Sequence, residues 1–138
     1  MNLLENKMLT EVVNILNTAV SPQLIYLFGS TAKGTSHAKS DLDIAFLSSV
    51  TLDEYEVFML AQQIASKINQ DVDLVDLRKA STVFQGQIVA TGKTIYSTDE
   101  QTRMNYEMKV LKMYAKLGEE RKLIIDDIEE SGTVFNEE

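Results

Sequence analysis

The residues best suited to chemistry are a Gly-Ser pair and, ten residues later, two aspartates separated by one residue. The pair is Gly29 and Ser30, and the aspartates are Asp41 and Asp43. A glycine at the end of a buried strand permits a sharp turn and the close approach of a ligand. A serine at the start of a following helix offers its hydroxyl and free backbone N–H groups to a phosphate. The Gly-Ser pair therefore predicts a phosphate-binding turn.

The two aspartates predict a metal site beside that turn. Asp41 and Asp43 project from the same face of a strand because strand side chains alternate. Unpaired, the two carboxylates would repel, and the pKa of one would rise. Mg²⁺ removes that conflict, since it takes oxygen ligands and keeps water and substrate phosphate oxygens. Two such ions would hold the attacking and leaving oxygens of a displacement at phosphorus. The combination predicts phosphoryl or nucleotidyl transfer.

A simpler interpretation is that Asp41 and Asp43 are solvated carboxylates on an edge strand. The strand is otherwise apolar, reading Leu-x-Ile-Ala-Phe-Leu around Asp43. Aspartate is depleted in strands, so two of them in such a sequence favour a functional role. The Gly-Ser pair at a short distance before them favours that role further.

The hydrophobic pattern predicts alternating helices and strands that position these residues. A spacing of three and four predicts helices, and short apolar or alternating runs predict strands. The expected helices cover about 3–19, 51–69, 82–91 and 97–130, with a short helix and a loop within 31–40, and the expected strands cover 24–28, 41–47, 72–77 and 94–97. This order predicts an α+β fold, a small mixed sheet flanked by helices with a long C-terminal helical segment.

Three helix starts are predicted from capping boxes, and two glycines are expected to affect helix continuity. The boxes pair Thr51 with Glu54, Thr82 with Gln85, and Ser97 with Glu100. Gly92 is expected to end the third of the long helices, and Gly118 to bend or divide the last.

The length of 138 residues predicts a single domain over 1–138, with a core of about 1–98, a helical segment of about 99–130 and an acidic tail over 131–138.

Composition excludes several classes of function. The chain has a net charge of -8, so binding to a nucleic-acid backbone by charge alone is not expected. It has no cysteine and one histidine, His37, which excludes thiolate chemistry and multi-histidine metal sites. No apolar run approaches the roughly 20 residues of a membrane span, and the first residues are not typical of a secretory signal. We therefore expect a cytoplasmic protein.

These motifs resemble a known family. Phe28-Gly29-Ser30, ten residues and Asp41-Leu42-Asp43 are similar to the signature of the DNA polymerase β-type nucleotidyltransferase superfamily. The chain length and the segment 71–77, Asp-Val-Asp-Leu-Val-Asp-Leu, make the chain similar in particular to the minimal nucleotidyltransferase (MNT) antitoxins. Those antitoxins are encoded beside HepT-like toxins with a HEPN domain. The resemblance implies the polymerase β-type nucleotidyltransferase fold.

The resemblance also implies roles for individual residues. Gly29 and Ser30 would hold the triphosphate of ATP, and Asp41 and Asp43 would bind Mg²⁺, two ions being expected. A third carboxylate completes the family's metal site and accepts the proton of the attacking hydroxyl, and Asp73 matches that position best. Two neighbours remain alternatives for this third position: Asp71, which shares the strand face of Asp73, and Asp76, which points the other way in a regular strand.

Two polar residues lie in the spacer between the motifs. Lys33 is a candidate phosphate ligand acting as a point charge, or else a solvated surface lysine. Many relatives carry arginine at that position, and lysine lacks the bidentate fork of arginine. His37 is most simply a polar loop residue, with contact to the nucleotide or the acceptor as the alternative.

The function implied by the resemblance is transfer of AMP from ATP to a tyrosine of the cognate HEPN toxin, which inactivates the toxin. One alternative is an antitoxin that neutralises by steric binding, and another is nucleotidyl transfer to a small molecule, for which 138 residues leave little room.

Methionines 104, 108 and 113 predict either helix packing or an adaptable binding surface. The acids from Asp126 onward predict a solvated end or a surface for a basic partner.

Overall fold

The computed structural model describes residues 3–29 and 41–131. Its elements are α1 (Leu3–Val20), β1 (Leu24–Leu27), β2 (Leu42–Leu47), α2 (Glu54–Ile68), β3 (Val72–Asp76), a 3₁₀ helix (Leu77–Lys79), α3 (Thr82–Thr91), β4 (Lys93–Ser97) and α4 (Glu100–Ser131). The predicted short helix and loop within 31–40 lie outside the described residues, as do Ser30, Lys33 and His37.

The four strands form one mixed sheet, as predicted, in the order β3-β2-β1-β4. β1 is antiparallel to both of its neighbours, and β2 and β3 are parallel. α2 connects the two parallel strands, because a parallel pair needs a crossover rather than a hairpin. The predicted α+β class is confirmed.

Helices cover both faces of the sheet. On one face α1 and α2 pack on the strands through a core that includes Leu16, Ile25, Ile44, Phe46 and Ile64. On the other face α3 and α4 pack on a second core that includes Leu24, Tyr26, Ala45, Leu77 and Ile88. Strand alternation explains the division, because neighbouring residues of β1 and β2 contribute to opposite cores. The sheet is therefore held rigidly from both sides.

The predicted capping boxes were wrong by one or two residues. α2 begins after Asp53, whose carboxylate accepts a hydrogen bond from the Glu56 amide at 2.7 Å, while Glu56 accepts one from the Asp53 amide at 3.0 Å. The prediction had paired Thr51 with Glu54. The extended backbone of Asp53 and its acidic side chain suit the N-cap position, and the Asp-x-x-Glu box satisfies two helix-end donors.

The other two helix starts differ in the same way. Ser81, rather than Thr82, caps α3 by accepting from the Phe84 amide at 3.1 Å. Asp99, rather than Ser97, caps α4 by accepting from the Thr102 amide at 2.7 Å. Gly92 is the C-terminal cap of α3, as predicted. α4 is one continuous helix through Gly118, so the expected division is wrong.

A partly buried polar network fixes α4 to the sheet. The Tyr26 hydroxyl on β1 donates to Glu107 Oε2 at 2.6 Å, and Arg103 Nη1 donates to Glu107 Oε1 at 2.8 Å. Nearby, the Tyr106 hydroxyl donates to Gln85 Oε1 of α3 at 2.7 Å. Burial, reinforced by the Glu107 carboxylate, raises the pKa of Tyr26 well above its usual range. Tyr26 therefore stays a neutral donor, and α4 has a defined position on the sheet.

In the part of the chain that the structure describes, none of the helices combines the length and apolar content needed to cross a bilayer.

We predict that Tyr26→Phe lowers the free energy of unfolding by about 1–2 kcal/mol, because Glu107 loses a charge-assisted hydrogen bond in a partly buried site. Tyr96→Phe is the matched control, since Tyr96 is a half-buried strand tyrosine whose hydroxyl makes no hydrogen bond to the described residues. Urea unfolding of both variants measures the difference. Equal stabilities of the two variants would show that the Tyr26–Glu107 bond does not hold α4.

Candidate active site

The parallel pairing of β2 with β3 places Asp43 directly opposite Asp73. Both side chains lie on the sheet face that α3 and α4 cover, because they alternate with Leu42, Ile44 and Leu74 of the other core. Neighbouring strands are only about 4.8 Å apart, so the two aspartates stand side by side. The structure thus brings together two of the three carboxylates that the sequence analysis selected.

Asp41 and Asp73 both act electrostatically on Asp43. The pKa of Asp43 is raised above its usual value, first by burial and then by the negative charges of Asp73 and Asp41. Asp43 is half-buried, whereas Asp41 and Asp73 are exposed. The predicted rise in one carboxylate pKa therefore falls on Asp43, the most enclosed of the three. A bound cation would reverse this effect by favouring the ionised form.

Within residues 3–29 and 41–131, no three acidic or histidine side chains already have the spacing of a formed metal site. Like charges repel, and the exposed side chains of Asp41 and Asp73 can separate into water. The chemistry of the donor set nevertheless fits a hard cation, because the neighbouring groups are all carboxylates.

Gly29 lies against Asp43 at the end of β1. It has a φ of +63°, and a Cβ built on it would lie 2.5 Å from Asp43 Oδ2. The preceding residue, Phe28, donates its amide to the Asp43 carbonyl oxygen at 3.1 Å. Both the conformation and the close contact require glycine. The turn and the carboxylates thus form one continuous site, although its serine, Ser30, lies outside the described residues.

The two alternatives to Asp73 have different environments. Asp76 pairs with Phe46, so it lies on the opposite sheet face from Asp43, as predicted. It is buried and accepts the Arg78 amide at 3.0 Å, which caps the 3₁₀ helix. Asp71 precedes β3, and its carbonyl accepts the Leu42 amide at 2.8 Å. Of the three aspartates around β3, Asp73 is the one that pairs with Asp43 and whose charge raises its pKa.

Sequence reasoning missed the contacts that position the end of β1. The Phe28 ring packs edge-on against Phe84 of α3, with ring centroids 5.6 Å apart. Tyr26, two residues earlier, is held by Glu107 of α4. Residues so distant in sequence give no local signal, although a tyrosine inside an otherwise apolar strand indicates a buried hydroxyl that needs a partner. These contacts fix the strand from which Gly29 extends.

Comparison with known families defines the class of protein. Residues 10–101 match the family model "Polymerase beta, Nucleotidyltransferase", and the chain belongs to this family of nucleotidyltransferases. Over 106 residues it is 49% identical to "Protein adenylyltransferase MntA" of Shewanella oneidensis. The matched segment covers 77% of this chain and 76% of that protein.

Two solved structures extend the comparison. A chain in the "Crystal structure of the toxin-antitoxin with AMP-PNP" is 45% identical with a TM-score of 0.77, and the match covers 86% of this chain and 96% of that one. A second similar chain comes from the structure of the tri-AMPylated Shewanella oneidensis HEPN toxin in complex with MNT antitoxin. It is 42% identical with a TM-score of 0.69, and the match covers 91% of this chain and 96% of that one. The resemblance read from the motifs is confirmed.

We predict that Gly29→Ala destabilises the protein by about 1–2 kcal/mol, because alanine is strained in the left-handed region. It should also weaken binding of an ATP analogue, since its methyl group would displace the Asp43 carboxylate. Gly118→Ala is the control, because a Cβ there meets nothing within 4 Å and alanine favours a helix. Thermal unfolding and calorimetric titration measure both effects. Analogue binding unchanged in Gly29→Ala would place the triphosphate elsewhere.

Proposed function

We propose that this protein is an antitoxin that transfers AMP from ATP to a tyrosine hydroxyl of its cognate HEPN toxin and so inactivates it. The observation that carries the proposal is the pairing of Asp43 with Asp73 beside the Gly29 turn. Family membership supports nucleotidyl transfer, and the relative's name, protein adenylyltransferase, supports a protein acceptor. The tri-AMPylated HEPN toxin found with a similar antitoxin supports a HEPN toxin as that acceptor.

The nucleotide site in this proposal consists of Gly29, Ser30 and Lys33. Gly29 has a positive φ just after β1, a backbone conformation that can direct N–H groups at phosphate oxygens. The presence of AMP-PNP, an ATP analogue, in a similar toxin-antitoxin complex supports ATP as the substrate. The use of ATP also favours action in the cytoplasm.

The metal ligands in this proposal are Asp41, Asp43 and Asp73. Three carboxylates acting on one another are unfavourable alone, as the raised pKa of Asp43 indicates, and two Mg²⁺ ions would balance their charge. When bound, the ions supply positive charge for the α-phosphate and the leaving group. The chain's own contribution is to carry these carboxylates at the paired ends of β2 and β3, whose backbones need no rearrangement during the reaction.

The transfer exchanges one bond to phosphorus for another. The tyrosine oxygen bonds to the α-phosphorus of ATP, while the bond from that phosphorus to the bridging oxygen of the β-phosphate breaks. Pyrophosphate leaves with the electron pair of the broken bond, and the phenolic proton passes to the Asp73 carboxylate and then to water. A phenol suits this step because its pKa of about 10 is far below that of an aliphatic hydroxyl.

Inactivation follows from the charge and size of the added group. A HEPN toxin that cleaves RNA must accept an anionic substrate, and an attached AMP places a negative phosphate and a base near that site. Like charge and volume both then oppose RNA entry. Neutralisation by this route needs only brief contact between the two proteins, whereas steric neutralisation needs a lasting complex.

We predict that Asp41→Asn, Asp43→Asn and Asp73→Asn each lower the rate of AMP transfer to the toxin by at least about a hundredfold. An amide binds Mg²⁺ weakly and cannot accept the phenolic proton. Asp71→Asn is the matched control, because Asp71 lies two residues before Asp73, outside β3, whereas Asp73 pairs with Asp43. Transfer of label from α-labelled ATP measures the rates. Loss of transfer in Asp71→Asn, with Asp73→Asn active, would reassign the third carboxylate.

A second prediction separates catalysis from steric covering in cells. The double variant Asp41→Asn/Asp43→Asn should still co-purify with the toxin but should fail to rescue growth when the two are co-expressed. The surfaces away from the two substituted carboxylates are unchanged, so binding should persist, but the acceptor tyrosine stays unmodified. Full rescue by the double variant would reject the enzymatic proposal in favour of steric neutralisation. Transfer to an aminoglycoside-like small molecule, with none to the toxin, would favour the small-molecule alternative.

A further inference from the structure

One side of α4 exposes a row of large apolar residues, which we call the methionine stripe: Met104, Met108 and Leu111. Their exposed fractions are 46%, 67% and 40%. They are spaced by four and three residues, so they lie on one face of the helix. Adjacent large apolar side chains left in water indicate a binding surface more strongly than scattered ones do, and methionine adapts readily to a partner's shape.

The stripe is separate from the side of α4 that packs on the domain. That packed side carries Tyr106, which bonds to Gln85 of α3, and Val110, which is only 6% exposed. It also carries Tyr114, against which Gly86 of α3 lies so closely that a Cβ on Gly86 would be 2.5 Å from Tyr114 Cδ1. At about 100° per residue, Leu111 lies roughly 60° around the helix axis from Tyr114 and roughly 100° from Val110, so the stripe begins beside this packed side and faces away from it.

The stripe belongs to a helix that packs on the same face of the sheet as the Asp43 side chain. The opposite flank of α4, with Lys109 and Met113, lines a cavity of about 340 Å³ together with Leu47 and Arg78. Leu47 ends β2, so this cavity lies at the strand end remote from Asp43. The stripe lies on the flank of α4 away from this cavity, on a helix that covers the sheet face to which the Asp43 side chain also belongs.

The helix continues beyond the part that the domain covers. α4 has 32 residues, which corresponds to about 48 Å. From Leu111 to Glu120 every side chain except Leu117 is exposed. Helices in proteins owe most of their stability to packing of an apolar face, so a half-covered helix with an apolar stripe is suited to a partner.

We propose that the methionine stripe is the surface on which the toxin docks to present its acceptor hydroxyl to Asp43. This inference rests on the proposed function, because a protein acceptor must approach Asp43 from the sheet face that carries α4. The toxin therefore contacts the stripe as its tyrosine enters the site. A second copy of this chain is a poorer occupant, since two chains of net charge -8 repel each other.

A second exposed apolar group supplies the control. Tyr55, Phe58 and Met59 lie on α2, with exposed fractions of 68%, 57% and 47%. α2 covers the opposite face of the sheet, away from the Asp43 side chain. Met59→Glu and Met108→Glu therefore introduce the same charge at an exposed helical methionine, on opposite sides of the molecule.

The test compares Met108→Glu with Met59→Glu against the purified toxin. We expect Met108→Glu to raise the KM for the toxin by at least about tenfold, because a carboxylate replaces an apolar contact in the centre of the interface. The kcat at saturating toxin should stay within about twofold of the unmodified protein, since the catalytic residues are untouched. Met59→Glu should change neither value. Calorimetric titration of the toxin without ATP measures docking apart from chemistry.

Each outcome has one meaning. Unchanged toxin affinity in Met108→Glu, or loss of affinity in Met59→Glu alone, overturns the assignment of the stripe. Disruption of a homodimer by Met108→Glu with unchanged toxin affinity also overturns it, and sedimentation velocity detects that case. If the unmodified protein transfers no AMP but Met108→Glu still loses toxin binding, the proposed function fails and the docking surface stands.

Discussion

The parallel pairing of β2 with β3 forces Asp43 and Asp73 to stand beside each other on one sheet face, with Asp41 close by. This like-charge contact opposes folding, so the rest of the domain must hold it in place. Two apolar cores, one on each face, fix the strands, and Gly29 leaves space for the Asp43 carboxylate where any other residue would displace it. The repulsion among these carboxylates is relieved if a cation binds between them during nucleotidyl transfer, which explains why the fold keeps them together.

The same strand connects the site to the C-terminal helix. β1 leads to Gly29, and its Tyr26 donates to Glu107 of α4, so a hydrogen bond joins the helix to the strand that precedes the turn. A partner bound to the exposed part of α4 is therefore held at a defined distance from the carboxylates. Positioning of this kind matters for group transfer, because small displacements of the reacting atoms are costly to the rate.

Local pattern was sufficient to predict the strands and the sheet faces of their aspartates, but not the details that depend on distant contacts. Alternation alone predicted that Asp76 points away from Asp43, and the buried Asp76 confirms it. Alternation could not show that Asp73 lies opposite Asp43, because strand register is a non-local property. The helix starts were misplaced because several residues before each helix can cap it, and the backbone dihedrals of Asp53 rather than its neighbours' residue types decided the outcome. The Tyr26–Glu107 bond joins residues 81 apart, beyond the reach of any local pattern. The nucleotide roles of Ser30 and Lys33 stay predictions.

Covalent transfer of AMP to the toxin is what separates the proposed enzyme from an antitoxin that only covers its partner. Its most direct test is the intact mass of the purified toxin after incubation with a small molar fraction of this protein, ATP and Mg²⁺. Catalytic transfer predicts that nearly all of the toxin gains the mass of one or more AMP groups and loses its ribonuclease activity, since an enzyme turns over. A toxin of unchanged mass that is inhibited only when this protein is present in equimolar amount would contradict it.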